Sequence, residues 1–416
     1  MKPTAIDRCR CCANTRLESV LSLGEQHLTG VFPRSPLETV TSGPLELVKC
    51  LGEDACGLVQ LRHTYDSAEM YGDNYGYRSG LNQSMVRHLG TTAAAIVAKF
   101  PCGEDAIVLD IGSNDGTLLS FMPASARRVG MDPTIAKYRE HYDPRIHAIP
   151  EFFSAATFRR FHGDERAEII TSIAMFYDLD DPLAFVRDIA DVLAPNGVWY
   201  FEQSYLPTML TQNAYDTICH EHLEYYSLRQ VDWMMRRCGL RIIDVQLNDV
   251  NGGSFSVTVC HEQSTHRANT EAIDALTASE RAAGLDTLEP YFAFRDRVAA
   301  HRDELLATLA GIARTGAMTL GYGASTKGNV ILQYCGLTVT EIPAIAEVNP
   351  DKFGAFTPGT NIPIISELEA HARNPDYLLV MPWHFRENLI ERESAFLARG
   401  GKMIFPLPKI SIVAAP

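Results

Sequence analysis

The sequence predicts an α/β protein: two sheet-based units behind a small cysteine-rich module. Three observations predict it. Short apolar runs alternate with helical stretches from about residue 100 to 205, the pattern of βαβ units. The same alternation returns over the last hundred residues. Two cysteine groups, Cys9-Arg-Cys-Cys12 and Cys50 with Cys56, precede both. We place the units at 1–68, 69–265 and 266–416, the last with a helical lead-in.

The 416 residues suffice for two or three domains, and 46% hydrophobic with 21% charged residues is ordinary globular composition. A formal net charge of −14 argues against nucleic acid, which needs a basic face. No apolar run has membrane-spanning length, and Met1-Lys-Pro-Thr-Ala-Ile-Asp-Arg8 lacks the pattern of a signal peptide. The expectation is a cytoplasmic protein with reduced cysteines, without nucleic-acid or membrane partners, and monomeric.

In order along the chain, Cys9, Cys12, Cys50 and Cys56 come first. Two thiolate pairs on separate knuckles suit tetrahedral Zn²⁺, although C-x5-C is a loose second spacing. Four protein ligands leave no open position, so the metal is expected to be structural. Cys11 is a spare, and His27 and His63 are alternative ligands. Tyr71-Gly-Asp-Asn-Tyr-Gly-Tyr-Arg-Ser-Gly80 is too rich in glycine for regular structure and reads as a loop, with a helix from about Asn82 to Lys99 after it. Its tyrosines suit either a substrate or a domain junction.

Ile107-Val-Leu-Asp-Ile-Gly-Ser-Asn-Asp-Gly-Thr117 is a strand, a glycine turn and the start of a helix at Leu118–Met122. Glycines let the backbone approach a ligand. The spacing is D-x-G-x-x-x-G, not G-x-G-x-x-G, and resembles the first loop of class I S-adenosylmethionine (SAM) methyltransferases. Asp110, Gly112, Asn114 and Gly116 are its candidate cofactor contacts. Asp132 ends a second strand roughly 20 residues on, where a carboxylate accepts from ribose hydroxyls. His147-Ala-Ile-Pro-Glu-Phe-Phe153 is a third strand and loop, with Phe152 placed to lie on adenine. Strands at 168–178 and 197–202 follow, and ligands bind at the carboxyl ends of such strands.

Tyr215-Asp-Thr-Ile-Cys-His-Glu-His-Leu-Glu-Tyr-Tyr-Ser227 is the densest polar cluster. Histidine is the natural base near neutral pH, and an adjacent carboxylate can orient it. H-E-x-x-H is absent, which argues against a metal here; a structural histidine pair is the plain alternative. A helix and a strand at 241–246 lead to Asn248-Asp-Val-Asn-Gly-Gly-Ser254, where Gly252-Gly253 marks a close backbone approach, then a strand through Cys260 and helices over 270–315. Met318-Thr-Leu-Gly-Tyr-Gly-Ala-Ser-Thr-Lys-Gly-Asn329 is a second strand and glycine loop, with Lys327 placed for a phosphate. Strands at 342–349, 376–381 and 401–405 complete this unit, and Pro382-Trp-His-Phe-Arg386 is an aromatic and basic loop at a strand end.

The cysteine pairs, Asp110-Ile-Gly-Ser-Asn-Asp-Gly116, Asp216-Thr-Ile-Cys-His-Glu-His222 with Tyr226-Ser227, Gly252-Gly-Ser254 and Gly323-Ala-Ser-Thr-Lys-Gly-Asn329 together resemble the sugar C-methyltransferases acting on nucleotide-linked ketodeoxysugars. The resemblance covers nearly the whole chain. It implies a zinc module, a class I SAM methyltransferase Rossmann-like domain and a C-terminal Rossmann-like domain that helps hold the sugar nucleotide. It implies His222 as the base beside Glu221; His220, Tyr225, Tyr226 and the Asn251-Gly-Gly backbone are then our candidate donors to the enolate oxygen. It implies substrate contacts from Tyr75, Tyr77, Asp178, Cys219, Asn251, Lys327 and Asn329, and methylation at C3 of a dTDP- or GDP-linked 4-keto-6-deoxyhexose through an enolate. Two positions depart from the family: Cys219 replaces tyrosine, and Asp178 replaces histidine. O- or N-methyl transfer, or an NAD-dependent oxidoreductase using the C-terminal loop, are the other readings.

Overall fold

The computed structural model describes residues 3–70 and 77–415; Tyr75 lies outside them. Among these residues three main sheets carry the fold. The first is antiparallel, with strands in the order 224–225, 59–61, 42–50, 17–27. The second has seven strands in the order 240–248, 254–261, 193–204, 167–173, 107–111, 127–131, 147–149, with only 254–261 antiparallel to its neighbours. The third has six, ordered 364–366, 345–347, 319–322, 377–380, 402–405, 411–413, parallel except for the last.

Strand order reverses at Ile107–Ile111 in the second sheet and at Thr319–Tyr322 in the third. Open α/β sheets bind ligands at such points. Ile107–Ile111 is buried at every position, as an inner parallel strand requires. The helix Gln83–Lys99 starts where Asn82 accepts from the Ser84 N–H, close to its predicted start. The helix expected at Leu118–Met122 is a single turn, Thr117–Ser120, because Pro123 cannot extend it and restricts the residue before it.

The hydrophobic cores cross the expected units. Met209, Tyr215, Ile218, Leu223 and Tyr225 pack with the first sheet and with the third sheet and its helices, not with the second. Conversely Cys9, Cys50, Cys56 and Leu58 share a core with Phe176, Trp199 and Tyr226. The small module and the polar cluster are therefore wedged between the two large sheets.

The predicted close approach at Gly252-Gly253 has a physical cause. Gly253 has φ +113°, and a Cβ there would lie 2.1 Å from Thr208 Cγ2. Gly253→Ala combines steric overlap with a backbone that L residues rarely adopt. It should destabilise by about 3 kcal/mol, read as a lower Tm.

Candidate active site

A cavity of about 260 Å³ opens at the reversal point of the second sheet, lined by Tyr77, Asp110, Gly112, Asn114, Asp132, Phe152 and Asp178 among others. Predicted cofactor and substrate contacts from separate parts of the chain thus meet there. Gly112 and Asn114 turn the backbone through positive φ, +72° and +50°. Asp132 Oδ2 accepts from the Asn114 N–H at 2.8 Å, and Oδ1 from the Thr134 N–H and hydroxyl at 2.7 and 2.6 Å. Oδ1 is thereby filled, and Oδ2 has capacity for a further donor. Asp110 accepts from Thr171 Oγ1 at 2.6 Å, and burial pushes its carboxyl up to about 7. Phe152 is 58% exposed, consistent with a ring waiting for a flat partner. Gly116 is not on the wall; a Cβ there would meet the Tyr142 ring at 2.9 Å, so its role is to admit that ring.

The loop after the strand Ala167–Ile173 links this cavity to the polar cluster. Asp178 lines the cavity. Beside it, the Tyr177 ring lies 4.3 Å from the His222 ring, and the Tyr177 carbonyl accepts from the N–H groups of Leu223 and Glu224 at 2.8 and 3.0 Å.

His222 Nδ1 lies 2.8 Å from the Thr217 carbonyl. A carbonyl only accepts, so Nδ1 carries the proton and Nε2 the lone pair. Burial, and then the Lys327 ammonium, push the imidazole down to about 3, so it is neutral at neutral pH. Lys327 Nζ donates to the Asn251 carbonyl at 2.7 Å, where Asn251 adopts φ +55°. Burial lowers Lys327, opposed by Asp216. Asp216 in turn accepts from Trp383 Nε1 at 2.7 Å. Neighbouring His384 is driven well down by burial and by Lys327. Imidazole, ammonium and carboxylate thus meet where the third sheet closes over the cluster.

Not every predicted residue joins this group. His220 is fully buried, donates through Nε2 to the Gln26 carbonyl at 3.2 Å and packs edge-on against Tyr65 at 4.6 Å. It faces the first sheet. Glu221 does not orient His222; Thr217 does. The Glu221 carboxyl contacts Cys219 and Thr29, and a Cβ on Gly30 would meet its Oε1 at 2.3 Å. Tyr226 stacks on Phe176 at 5.2 Å in the core behind the cysteines. Its neighbour Tyr225 points the other way, as strand alternation demands, and its electrostatic neighbours are Cys219, Asp178, Glu224 and Glu221. Asn329 donates to the Thr29 carbonyl at 2.7 Å, tying the helix Thr326–Cys335 to the first module.

The four predicted metal ligands do converge. The Sγ atoms of Cys9, Cys12, Cys50 and Cys56 all lie within 4.8 Å of one another, with Cys9–Cys56 at 3.6 Å and Cys12–Cys50 at 3.5 Å. Sulfurs about 2.3 Å from Zn²⁺ at tetrahedral corners stand just under 4 Å apart. The four thiols, three buried and Cys12 half-buried, therefore fit a closed zinc site, and Cys11 stays outside it.

Residues 9–71 match a zinc binding domain family, 85–245 a methyltransferase domain family and 249–408 the C-methyltransferase C-terminal domain family. C-methyltransferase NovU of Streptomyces niveus is 31% identical over 416 residues, covering 99% of this chain and 97% of NovU. Among solved structures, a methyltransferase in complex with the Haloferax volcanii Trm112 activator matches at TM-score 0.36 and 18% identity, over 44% of this chain and 94% of that one. The CcbJ methyltransferase of Streptomyces caelestis matches at TM-score 0.33 and 14% identity, over 41% and 94%.

Proposed function

The chain belongs to the C-methyltransferase family, as a SAM-dependent enzyme with a four-cysteine zinc site, and from that premise we propose that it methylates C3 of a nucleotide-linked 4-keto-6-deoxyhexose through an enolate. The dTDP- and GDP-linked sugars are the candidates. The observation that carries this is the His222 geometry: Nδ1 pinned to Thr217, which leaves the lone pair on Nε2, and a half-buried ring in contact with the loop that lines the cofactor cavity.

A proton on carbon next to a ketone is acidic enough to remove only if the oxygen's developing charge is stabilised. Nε2 of His222 takes that proton. The Lys327 ammonium and the Tyr225 hydroxyl are the donors assigned to the enolate oxygen. The cation that depresses the free imidazole then also attracts the anion it creates. Asp178, on the cavity wall, faces the sugar and tunes which configuration fits; Cys219, expected beside it, is instead fully buried in the core against Glu221. Bound SAM supplies an electrophilic methyl on a sulfonium. Asp110, Gly112, Asn114, Asp132 and Phe152 are the residues that would hold it, with Tyr77 at the cavity mouth.

The decisive experiment is product NMR after incubation with SAM and a panel of dTDP- and GDP-linked ketosugars in D₂O. Exchange at C3 and a new methyl on quaternary C3 are expected. A methyl found on oxygen or nitrogen would overturn the reading.

SAM affinity should also depend on pH through Asp110. Its carboxyl is protonated below about 7, and a cationic ligand favours the carboxylate. Binding below that value must expel a proton, so affinity should rise from pH 6 to pH 8 by up to about tenfold. Equilibrium dialysis checks this, and Asp110→Asn should flatten the profile.

A further inference from the structure

The hairpin tip between the strands Leu240–Asn248 and Ser254–His261 holds three consecutive residues at positive φ: Asn251 at +55°, Gly252 at +89° and Gly253 at +113°. An L residue such as asparagine disfavours that backbone, so its surroundings must hold it there. The tip matters because the Asn251 carbonyl accepts from Lys327 Nζ at 2.7 Å. We infer that Glu202 is a positioning residue for Lys327, acting through Asn248 and the Asn251 carbonyl. The part Lys327 plays toward an enolate rests on the function proposed above; the link from Glu202 to Lys327 rests on geometry alone.

Glu202 lies near the end of the inner strand Leu193–Ser204 and is 3% exposed. Its two oxygens face different elements. Oε1 accepts from His88 Nε2 at 2.6 Å and Oε2 from Asn248 Nδ2 at 2.8 Å. Hydrogen bonds to a carboxylate are among the stronger ones. With its amide nitrogen committed to Glu202, Asn248 turns Oδ1 to the Val250 N–H, at 3.0 Å. Ser254 Oγ and the Gly253 N–H then donate to the Val250 carbonyl at 2.9 and 3.1 Å. The next carbonyl along the chain is that of Asn251. Lysine carries its charge on a flexible four-carbon stem, so a fixed acceptor is what gives the ammonium a fixed place. One N–H of three is used in this anchor, which leaves two for other acceptors.

Glu202 also reaches the cofactor side. His88 lies on the helix Gln83–Lys99 between Met85 and Leu89, both on the wall of the cofactor cavity. The Glu202 carbonyl accepts from the Ala174 N–H at 2.7 Å, and Ala174, at φ +54°, is on that wall too. One buried residue thus ties the wall that would hold the methyl donor to the tip that anchors the ammonium. Reacting groups tolerate little displacement: about 1 Å can cost 10²-fold in rate.

The test combines substitutions at Asn248 and Glu202 with Lys327→Met in the full zinc-loaded chain, with SAM affinity as the control for folding. Asn248→Ala and Glu202→Ala should each lower kcat about tenfold and change KM for the sugar nucleotide little. Glu202→Gln keeps an acceptor for Asn248 and can donate to the other tautomer of His88, so it should retain most of the rate. In the Lys327→Met background Asn248→Ala should cost nothing further, because the group it positions is gone. Losses that multiply in the double variant would overturn the link. A second readout needs no sugar: competitive acetylation by acetic anhydride, followed by mass spectrometry. Labelling of Lys327 should rise about threefold or more in Asn248→Ala and Glu202→Ala and stay at the parent level in Glu202→Gln. Unchanged labelling in both alanine variants would overturn the link whatever the enzyme methylates. Increased labelling with undiminished methyl transfer would uphold the link and remove the enolate role of Lys327. If the parent methylates no sugar nucleotide, the proposed function fails and the labelling still decides the link.

Discussion

His222→Asn should abolish methyl transfer, lowering kcat by about 10²- to 10⁴-fold, the usual contribution of a positioned base. SAM affinity should stay within about twofold of the parent, because His222 is not on the wall of the cofactor cavity. Exchange of the substrate C3 proton into D₂O should vanish with turnover. That joint loss separates a base from a residue that merely shapes the site, since a shaping residue would raise KM and leave exchange measurable. Asparagine is the useful replacement because its amide can still donate to the Thr217 carbonyl that anchors Nδ1, so the loop is kept while the Nε2 lone pair is lost. Near-normal exchange in this variant would assign the base elsewhere. The buried group nearest in character, His384, shares the Lys327 field and would be the next residue to substitute.

The parts of this site that could be read from the sequence are those where one local pattern carries the chemistry. Asp110-Ile-Gly-Ser-Asn-Asp-Gly116 is a strand end and a turn in consecutive residues, so spacing alone indicates its geometry. The cysteines are similar, because thiols that cluster in a chain expected to be reduced point to a shared metal. Direction within 215–227 was not legible. His220 and His222 are two apart in a segment that is neither helix nor regular strand, so no periodicity says which one faces the cavity. Tyr225 and Tyr226 are adjacent at a two-residue strand, Glu224–Tyr225, and its sheet partner, 59–61, is far away in the chain. The orienting group for His222 is a main-chain carbonyl, which no residue type advertises. Asp216 and Trp383 meet across 167 positions, through packing of the third sheet that hydrophobic pattern alone does not specify.

The pairing of strand 59–61 with Glu224–Tyr225 should make zinc a condition for catalysis although four cysteine ligands leave no position open for chemistry. Arg10 sits between two of the cysteines on the first knuckle. Its N–H donates to Gln60 Oε1 at 3.0 Å, Nη1 to the Leu61 carbonyl at 2.5 Å and Nη2 to Thr64 Oγ1 at 2.8 Å. Its Nε stands 3.8 Å from Glu224 Oε1, with both side chains buried. Strand 59–61 pairs directly with Glu224–Tyr225, and the Leu61 N–H donates to the Leu223 carbonyl at 2.8 Å. Removing the metal leaves four close thiols with nothing to hold them, and a small metal site of this type contributes on the order of 10 kcal/mol to its own folding. The knuckle should open, Arg10 should leave Glu224 as an uncompensated buried acid, and the strand that aims Tyr225 should lose its neighbour. Every residue on the cofactor cavity wall comes from positions 77 to 185, outside the zinc module. Chelation under reducing conditions, or Cys56→Ser, is therefore expected to abolish methyl transfer while SAM still binds, with circular dichroism and zinc content followed in parallel. Full activity in zinc-free protein would refute the coupling. Loss of SAM binding together with activity would show that the module supports the whole fold and has no selective hold on His222 and Tyr225.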